Sequence, residues 1–383
     1  MDIDNVVIYV ADAVRYDTAV EQDISEIGAV YKTIASSLHT PTSFASIVSG
    51  LYPPSHGVEG FQHQLCPDTQ TLLNLPKTDC AISPSMEHHP VTDVLRNPPS
   101  KDLERINSPY VYLIRDPAGH APYNQFDWEE FTRQQTSEEY FDSVSSIQQM
   151  REDYQNAVSG SIDRFQNLIQ QAKDYNVTDN TLFVYLGDHG ERVGEYGYVG
   201  HNHLARPESV YVPTLFYHKD IDPGRRDGCI RHIDIAPTVC ELLGIQTKKM
   251  DGDSIKIGEE VYRPGYNQYE SVFYSSTRLD SRRMIQSYWD HDGGFVKTKG
   301  GYLKALIIYG YLRWNMSPNR FIGGDGFRST FSEFSPGMKK YGNPSISLDE
   351  CEKIFEQFQK RQNTGEEKVD QETVDQLESL GYM

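Results

Sequence analysis

Cysteine is scarce and scattered. The five residues Cys66, Cys80, Cys229, Cys240 and Cys351 form no CxxC pair. That argues against a disulfide framework or a cysteine-built metal site, and for a reducing interior. No apolar run is long enough to span a bilayer. The start, Met1-Asp2-Ile3-Asp4, lacks the basic residues, apolar stretch and small-residue cleavage site of a secretory leader, so the expectation is a cytoplasmic protein. Basic residues are also outnumbered: 36 Lys and Arg stand against 55 Asp and Glu, a formal net charge of −19. Such a surface repels phosphate backbones and anionic lipid, so neither nucleic acid nor membrane is an expected partner. It also suits a high-salt cytoplasm. Internal repeats and low-complexity tracts are missing as well.

What remains is ample for a core. The chain has 383 residues, 38% of them apolar and 11% aromatic, enough for one large α/β domain and a smaller one. Residues 5–11 (NVVIYVA) form a continuous apolar run ending at Asp12, as a buried parallel strand does. Apolar Phe44, Ile47, Val48 and Leu51 follow Thr40 at helical spacing, with Pro41 tolerated in the first turn. Further strands are expected at 109–114, at 181–187 ending in Asp188-His189-Gly190, and at 210–216. Residues 137–174 read as mostly helical, and 230–245 as a turn and a helix closed by Gly244. This alternation indicates an α/β/α sandwich around a mostly parallel sheet over residues 1–260. Beyond, Gly and aromatics rise, and 261–383 reads as a smaller C-terminal α+β subdomain with a charged connection at 359–372 and a final helix.

Ligands of open α/β sheets sit at the carboxyl ends of strands. Asp12, Asp188 and His189 all fall there, and Thr40 opens a helix. Two carboxylates, an imidazole and a hydroxyl suit a borderline divalent ion, Zn²⁺ or Mn²⁺, better than Ca²⁺ or Mg²⁺, which favour oxygen ligands. A threonine hydroxyl is a weak nucleophile at neutral pH, and coordination plus the helix N-terminus would activate it.

The segment Thr40-Pro-Thr-Ser-Phe-Ala-Ser-Ile-Val-Ser-Gly50-Leu-Tyr-Pro53-Pro-Ser-His56-Gly57 resembles the signature of sulfatases and their phosphatase relatives in the alkaline phosphatase superfamily. That register implies Thr40 as nucleophile. Val6–Asp17 looks like the family's first strand, implying Asp12 as metal ligand and Arg15, its following arginine, as a substrate-anion contact, the alternative being a pair with a carboxylate. Phe183–Gly200 looks like its Asp-His-Gly-Glu segment, implying Asp188 and His189 as ligands. The resemblance places His201 and His120 against the substrate anion as catalytic groups, with His203 as a further substrate contact. His232–Thr238 with Glu241–Ile245, and the closing Leu-Gly-Tyr382, also match. Asp116-Pro-Ala-Gly-His120 is similar to a ligand pair of two-metal relatives, so a second ion at Asp116 and His120 is an expectation, with His203 or His232 as its third ligand.

Three departures shape the chemistry. Sulfatases place Cys or Ser, converted to formylglycine, where Thr40 stands; an Arg where Phe44 stands; and a second acid where Ala13 stands. Threonine yields no aldehyde, which implies direct attack as in the phosphodiesterase and phosphonate hydrolase branches. The expected activity is metal-dependent hydrolysis or transfer of phosphate mono- or diesters through Thr40. The alternatives are a sulfatase acting on sulfated glycans and a catalytically inactive anion-binding protein of the same fold. The expected substrate is an anionic small molecule or glycan ester.

Overall fold

The computed structural model describes residues 1–117, 119–123, 126–127, 132–133, 135–174, 178–201, 205–271, 283–303, 305–306, 310, 331–333, 335–359 and 366–367. Its large sheet has nine strands: β1 (Asn5–Ala11), β2 (Ala29–Ile34), β3 (Asp79–Ile82), β4 (Tyr110–Asp116), β5 (Thr181–Gly187), β6 (Tyr211–Tyr217), β7 (Gly224–Arg225), β8 (Gly228–Arg231) and β9 (Val261–Tyr262). Their order is β9-β8-β2-β6-β5-β1-β4-β3, with β7 beside β2. Only β6 runs against its neighbours β2 and β5; all other pairs are parallel. The sheet is central because β1 and β5 are buried along their whole length, as apolar strands covered on both faces must be.

Alternation divides each strand between two cores. Val6, Ile8 and Val10 of β1, with Val111 and Leu113 of β4, pack on one face against helix α1 (Thr40–Ser49). Helix α3 (Ile235–Leu242), which follows α2 (Ile147–Asp174) in the chain, packs on the same face through Ile235, Ala236 and Val239. Val7, Tyr9 and Ala11, with Tyr110 and Tyr112, point the other way, against Val158, Ile162 and Phe165 of α2. The result is the α/β/α sandwich expected.

The strand run continues past the large sheet. β10 (Gly265–Ser271), β11 (Arg283–Trp289), β12 (Gly293–Thr298) and β13 (Gly337–Gly342) form a separate antiparallel sheet in chain order. Helix α4 (Leu348–Gln359) lays Cys351, Phe355 and Phe358 into a cluster with Tyr266, Tyr288 and Tyr52. β10 also braces the first layer: Asn267 Nδ2 donates to Ala35 O at 2.8 Å and the Gln268 amide to Ser36 O at 2.9 Å. Strands β2, β3, β7 and β8 go beyond the sequence reading, and β9 joins the large sheet from beyond residue 260. Most of the 359–372 connection and the segment expected to form the final helix lie outside the described residues. Among the described residues no helix is long and apolar enough to cross a membrane.

Candidate active site

Register places the acids. β1 pairs with β5 so that Ala11 faces Gly187, and the next residues, Asp12 and Asp188, leave the sheet side by side. Both are fully buried. Ala13 then turns into a left-handed conformation at φ 59. Its amide donates to Asp188 Oδ1 at 3.0 Å, and the His189 amide donates to the same oxygen at 2.8 Å. Tyr154 of α2 holds the turn, donating to Ala13 O at 2.7 Å and accepting from the Arg15 amide at 3.0 Å.

His189 is fixed in one tautomer. Its Nδ1 donates to Gly190 O at 3.0 Å, which leaves the Nε2 lone pair aimed at the acids. Nε2 lies 3.5 Å from Asp12 Oδ1 and 3.7 Å from Asp188 Oδ2. One donor atom from each of Asp12, Asp188 and His189 falls within 4.8 Å of the others. Asp188 Oδ2 is buried and accepts no hydrogen bond among the described residues. Burial first, and Asp12 beside it, push the Asp188 carboxyl up from 3.8 to about 6. A buried, charge-crowded pair of acids facing an imidazole nitrogen that carries no proton is what a divalent cation would relieve, so the residues present fit such an ion.

Thr40 opens α1 with its Oγ1 3.3 Å from His189 Nε2. The hydroxyl is therefore buried beside the donor triad and at a helix N-terminus. His201 stacks near His189, ring centroids 4.1 Å apart, and His120 lies 5.3 Å from His201. Glu191 Oε2 accepts from His201 Nδ1 at 3.5 Å. His120 Nδ1 donates to Ala121 O at 2.7 Å. The loop carrying His120 rests directly on β1's end: a Cβ on Gly119 would stand 2.3 Å from Asp12 O, so only glycine allows that approach.

Several expectations are revised. Asp116 is engaged away from His120: its carboxylate takes two bonds from Arg164, Nε at 3.0 Å and Nη2 at 3.1 Å, and a third from Tyr9 Oη. It belongs to the α2 face, because Arg115 and Asp116, adjacent in β4, point to opposite sides. His232 is not a ligand either: Nε2 donates to Gly187 O at 2.9 Å and Nδ1 accepts from the Ser36 amide at 3.3 Å. Burial holds its pKa down at about 3. Arg15 takes the carboxylate alternative: it pairs with Asp17 at 2.5 Å and Glu195 at 2.6 Å. His203 lies outside the described residues.

Two side chains escape the sequence reading. Arg115 donates through Nη2 to Asp12 Oδ2. His39, fully buried and held near 3 by burial and by His201 and His189 around it, packs edge-on against Phe61 at 5.3 Å and Tyr269 of β10 at 6.0 Å. Its place just before Thr40 was a signal for the site wall. Phe44 is fully buried in the core beneath α1, where a guanidinium would lack solvation.

A family model described as Sulfatase matches residues 114–245. The low-salt glycan biosynthesis sulfotransferase Agl7 of Haloferax volcanii is 30% identical to this chain, over 99% of it and 96% of that protein. A multifunctional alkaline phosphatase superfamily protein of Trinickia caryophylli is 30% identical over 28% of this chain and 22% of its own length. Among solved structures, a 2-O GAG sulfatase superposes with TM-score 0.58 at 13% identity, covering 93% of this chain and 90% of that one. A phosphonate monoester hydrolase from Silicibacter pomeroyi gives 0.55 at 14%, covering 77% and 87%. The chain belongs to the sulfatase family within the alkaline phosphatase superfamily, a family of metal-dependent ester hydrolases and transferases.

Proposed function

We propose that this chain moves a sulfuryl or phosphoryl group from an anionic ester onto Thr40 and then onto water or a sugar hydroxyl. The observation that carries the reading is the buried Thr40 hydroxyl, 3.3 Å from His189 Nε2 and at the start of α1. Asp12, Asp188 and His189 would hold a divalent ion, Zn²⁺ or Mn²⁺ by the donor set, whose positive charge lowers the proton affinity of the Thr40 hydroxyl.

The chain's own residues account for the rest. Thr40, its proton released to solvent, bonds to sulfur or phosphorus while the ester bond opposite breaks. The departing oxygen keeps the bonding pair and takes a proton from His201. Glu191, accepting from His201 Nδ1, orients the ring, as a carboxylate does for a catalytic imidazole. In the second half His201 takes the proton of the attacking hydroxyl, and Thr40 leaves. His120, bonded to Ala121 O through Nδ1, turns Nε2 to the site and contacts an equatorial oxygen when protonated there.

The residues alone put phosphate esters first. The full-length likeness to a protein described as a glycan biosynthesis sulfotransferase supports sulfate on a glycan as the first substrate to assay. Phosphoryl transfer is the second reading, favoured by a nucleophile that needs no oxidation. The test compares aryl sulfate, aryl phosphate, a phosphodiester and a sulfated oligosaccharide, with and without an acceptor sugar, under Mn²⁺ or Zn²⁺. Thr40→Ala is expected to lower turnover by at least about 10³-fold. Equal activity of the two proteins would remove Thr40 from the mechanism. Anion binding without turnover on any ester would favour the inactive alternative.

A further inference from the structure

The cation that the family resemblance places one turn into α1 is absent: Phe44 is buried in the core there. Yet the site holds a guanidinium from another element. Arg115, near the end of β4, is directed to the α1 face by strand alternation, pairs in register with Val10, and bonds through Nη2 to Asp12 Oδ2. Its side chain is 8% exposed and Asp12 is fully buried. The two oxygens of Asp12 thus face opposite ways: Oδ2 to Arg115, and Oδ1 to His189 Nε2 at 3.5 Å. One carboxylate joins the guanidinium to the donor triad.

We infer that Arg115 is a resident cation that weakens the hold of the site on its metal and strengthens its hold on the substrate's oxyanion. The inference rests on the donor-triad reading above. The charges decide it. Asp12 and Asp188 give two negative charges, and a ligating imidazole gives none. Without Arg115 a divalent ion would bring the site to zero. With Arg115 the ion, its three donors and the guanidinium together carry one positive charge, in a buried setting where water screens little. An anionic sulfuryl or phosphoryl ester gains from that charge, and an incoming metal ion is opposed by it. A residue that merely supports Asp12 would change both affinities in the same direction, so opposite signs are the mark of this role.

The test is calorimetric, on the full chain. Mn²⁺ is titrated into metal-stripped protein, then inorganic sulfate into the Mn²⁺-saturated form. In Arg115→Gln, Mn²⁺ is expected to bind about tenfold or more tightly and sulfate about tenfold or more weakly. Arg115→Lys, which keeps the charge, is expected to stay within about threefold of wild type for both. Arg115→Met, with the same stem length, carries the same expected signs and serves if the glutamine variant does not fold. Unchanged or weaker Mn²⁺ binding in the neutral variants, retained sulfate affinity, or a lysine variant that behaves like glutamine overturns the proposal alone. Wild-type protein that takes up neither Mn²⁺ nor Zn²⁺ overturns the donor-triad reading and this inference with it.

Discussion

Replacing Asp188 by asparagine is expected to stabilise the metal-free chain while ending its response to metal. Both bonds to Asp188 Oδ1, from the Ala13 amide at 3.0 Å and the His189 amide at 2.8 Å, survive in the amide. What disappears is a buried charge. The native carboxyl is raised from 3.8 to about 6 by burial and by Asp12, so the folded chain holds this proton more tightly than the unfolded one. As pH climbs from about 4 to about 6 the unfolded state releases it first, and folding stability falls across that window. The loss is complete above pH 6 and amounts to about 3 kcal/mol. Asparagine does not titrate and escapes it. Urea melts in EDTA should therefore show Asp188→Asn more stable than wild type by about 3 kcal/mol at pH 7.5, with the gap closing by about pH 4. Added Mn²⁺ should raise the wild-type midpoint and leave the variant's in place. A variant less stable than wild type at pH 7.5 without metal, or one still stabilised by Mn²⁺, would refute the assignment of Asp188 as a charge-crowded ligand.

Three further substitutions probe the surroundings. Asp116→Asn leaves Arg164 without its carboxylate and should destabilise folding by about 2 kcal/mol in denaturant melts, yet preserve metal stoichiometry and turnover; loss of a bound ion would restore Asp116 as a ligand. Gly119→Ala sets a Cβ 2.3 Å from Asp12 O and 2.9 Å from Val14 Cγ2, so it should cost about 1–3 kcal/mol of stability and lower kcat/KM by displacing His120. Glu191→Gln removes the carboxylate behind His201 and is expected to cut kcat about tenfold with little change in KM. An unchanged kcat would take His201 out of proton transfer.

The chain's own pattern made much of this legible. β1 and β5 announce themselves because a strand covered on both sides is apolar throughout, and their carboxyl ends carry the acids directly. Thr40 is marked by the Pro41 that follows and by the apolar spacing of α1. The same physics hides the rest. Because both faces of β4 are buried, its sequence shows no period of two, and nothing in it says that Arg115 faces Asp12 while Asp116 faces Arg164. β2 was concealed by Lys32, whose ammonium reaches His291 O at 2.9 Å while its stem stays in the strand. β3 has only four residues. The engagement of Arg15 and His232 depends on partners far away in the chain, Glu195 and Gly187, which spacing alone does not reveal.

The brace between β10 and the loop entering α1 has a temporal side. Asn267 reaches a carbonyl 232 residues earlier, that of Ala35, so the segment leading to Thr40 is secured by chain that the ribosome delivers long afterwards. The candidate donors Asp12, Asp188 and His189, by contrast, are all present once residue 189 has emerged. On the proposed reading, the residues that would hold the ion can meet before the strand that steadies the approach to Thr40 is made, so a chain ended before β10 should bind metal and turn over poorly.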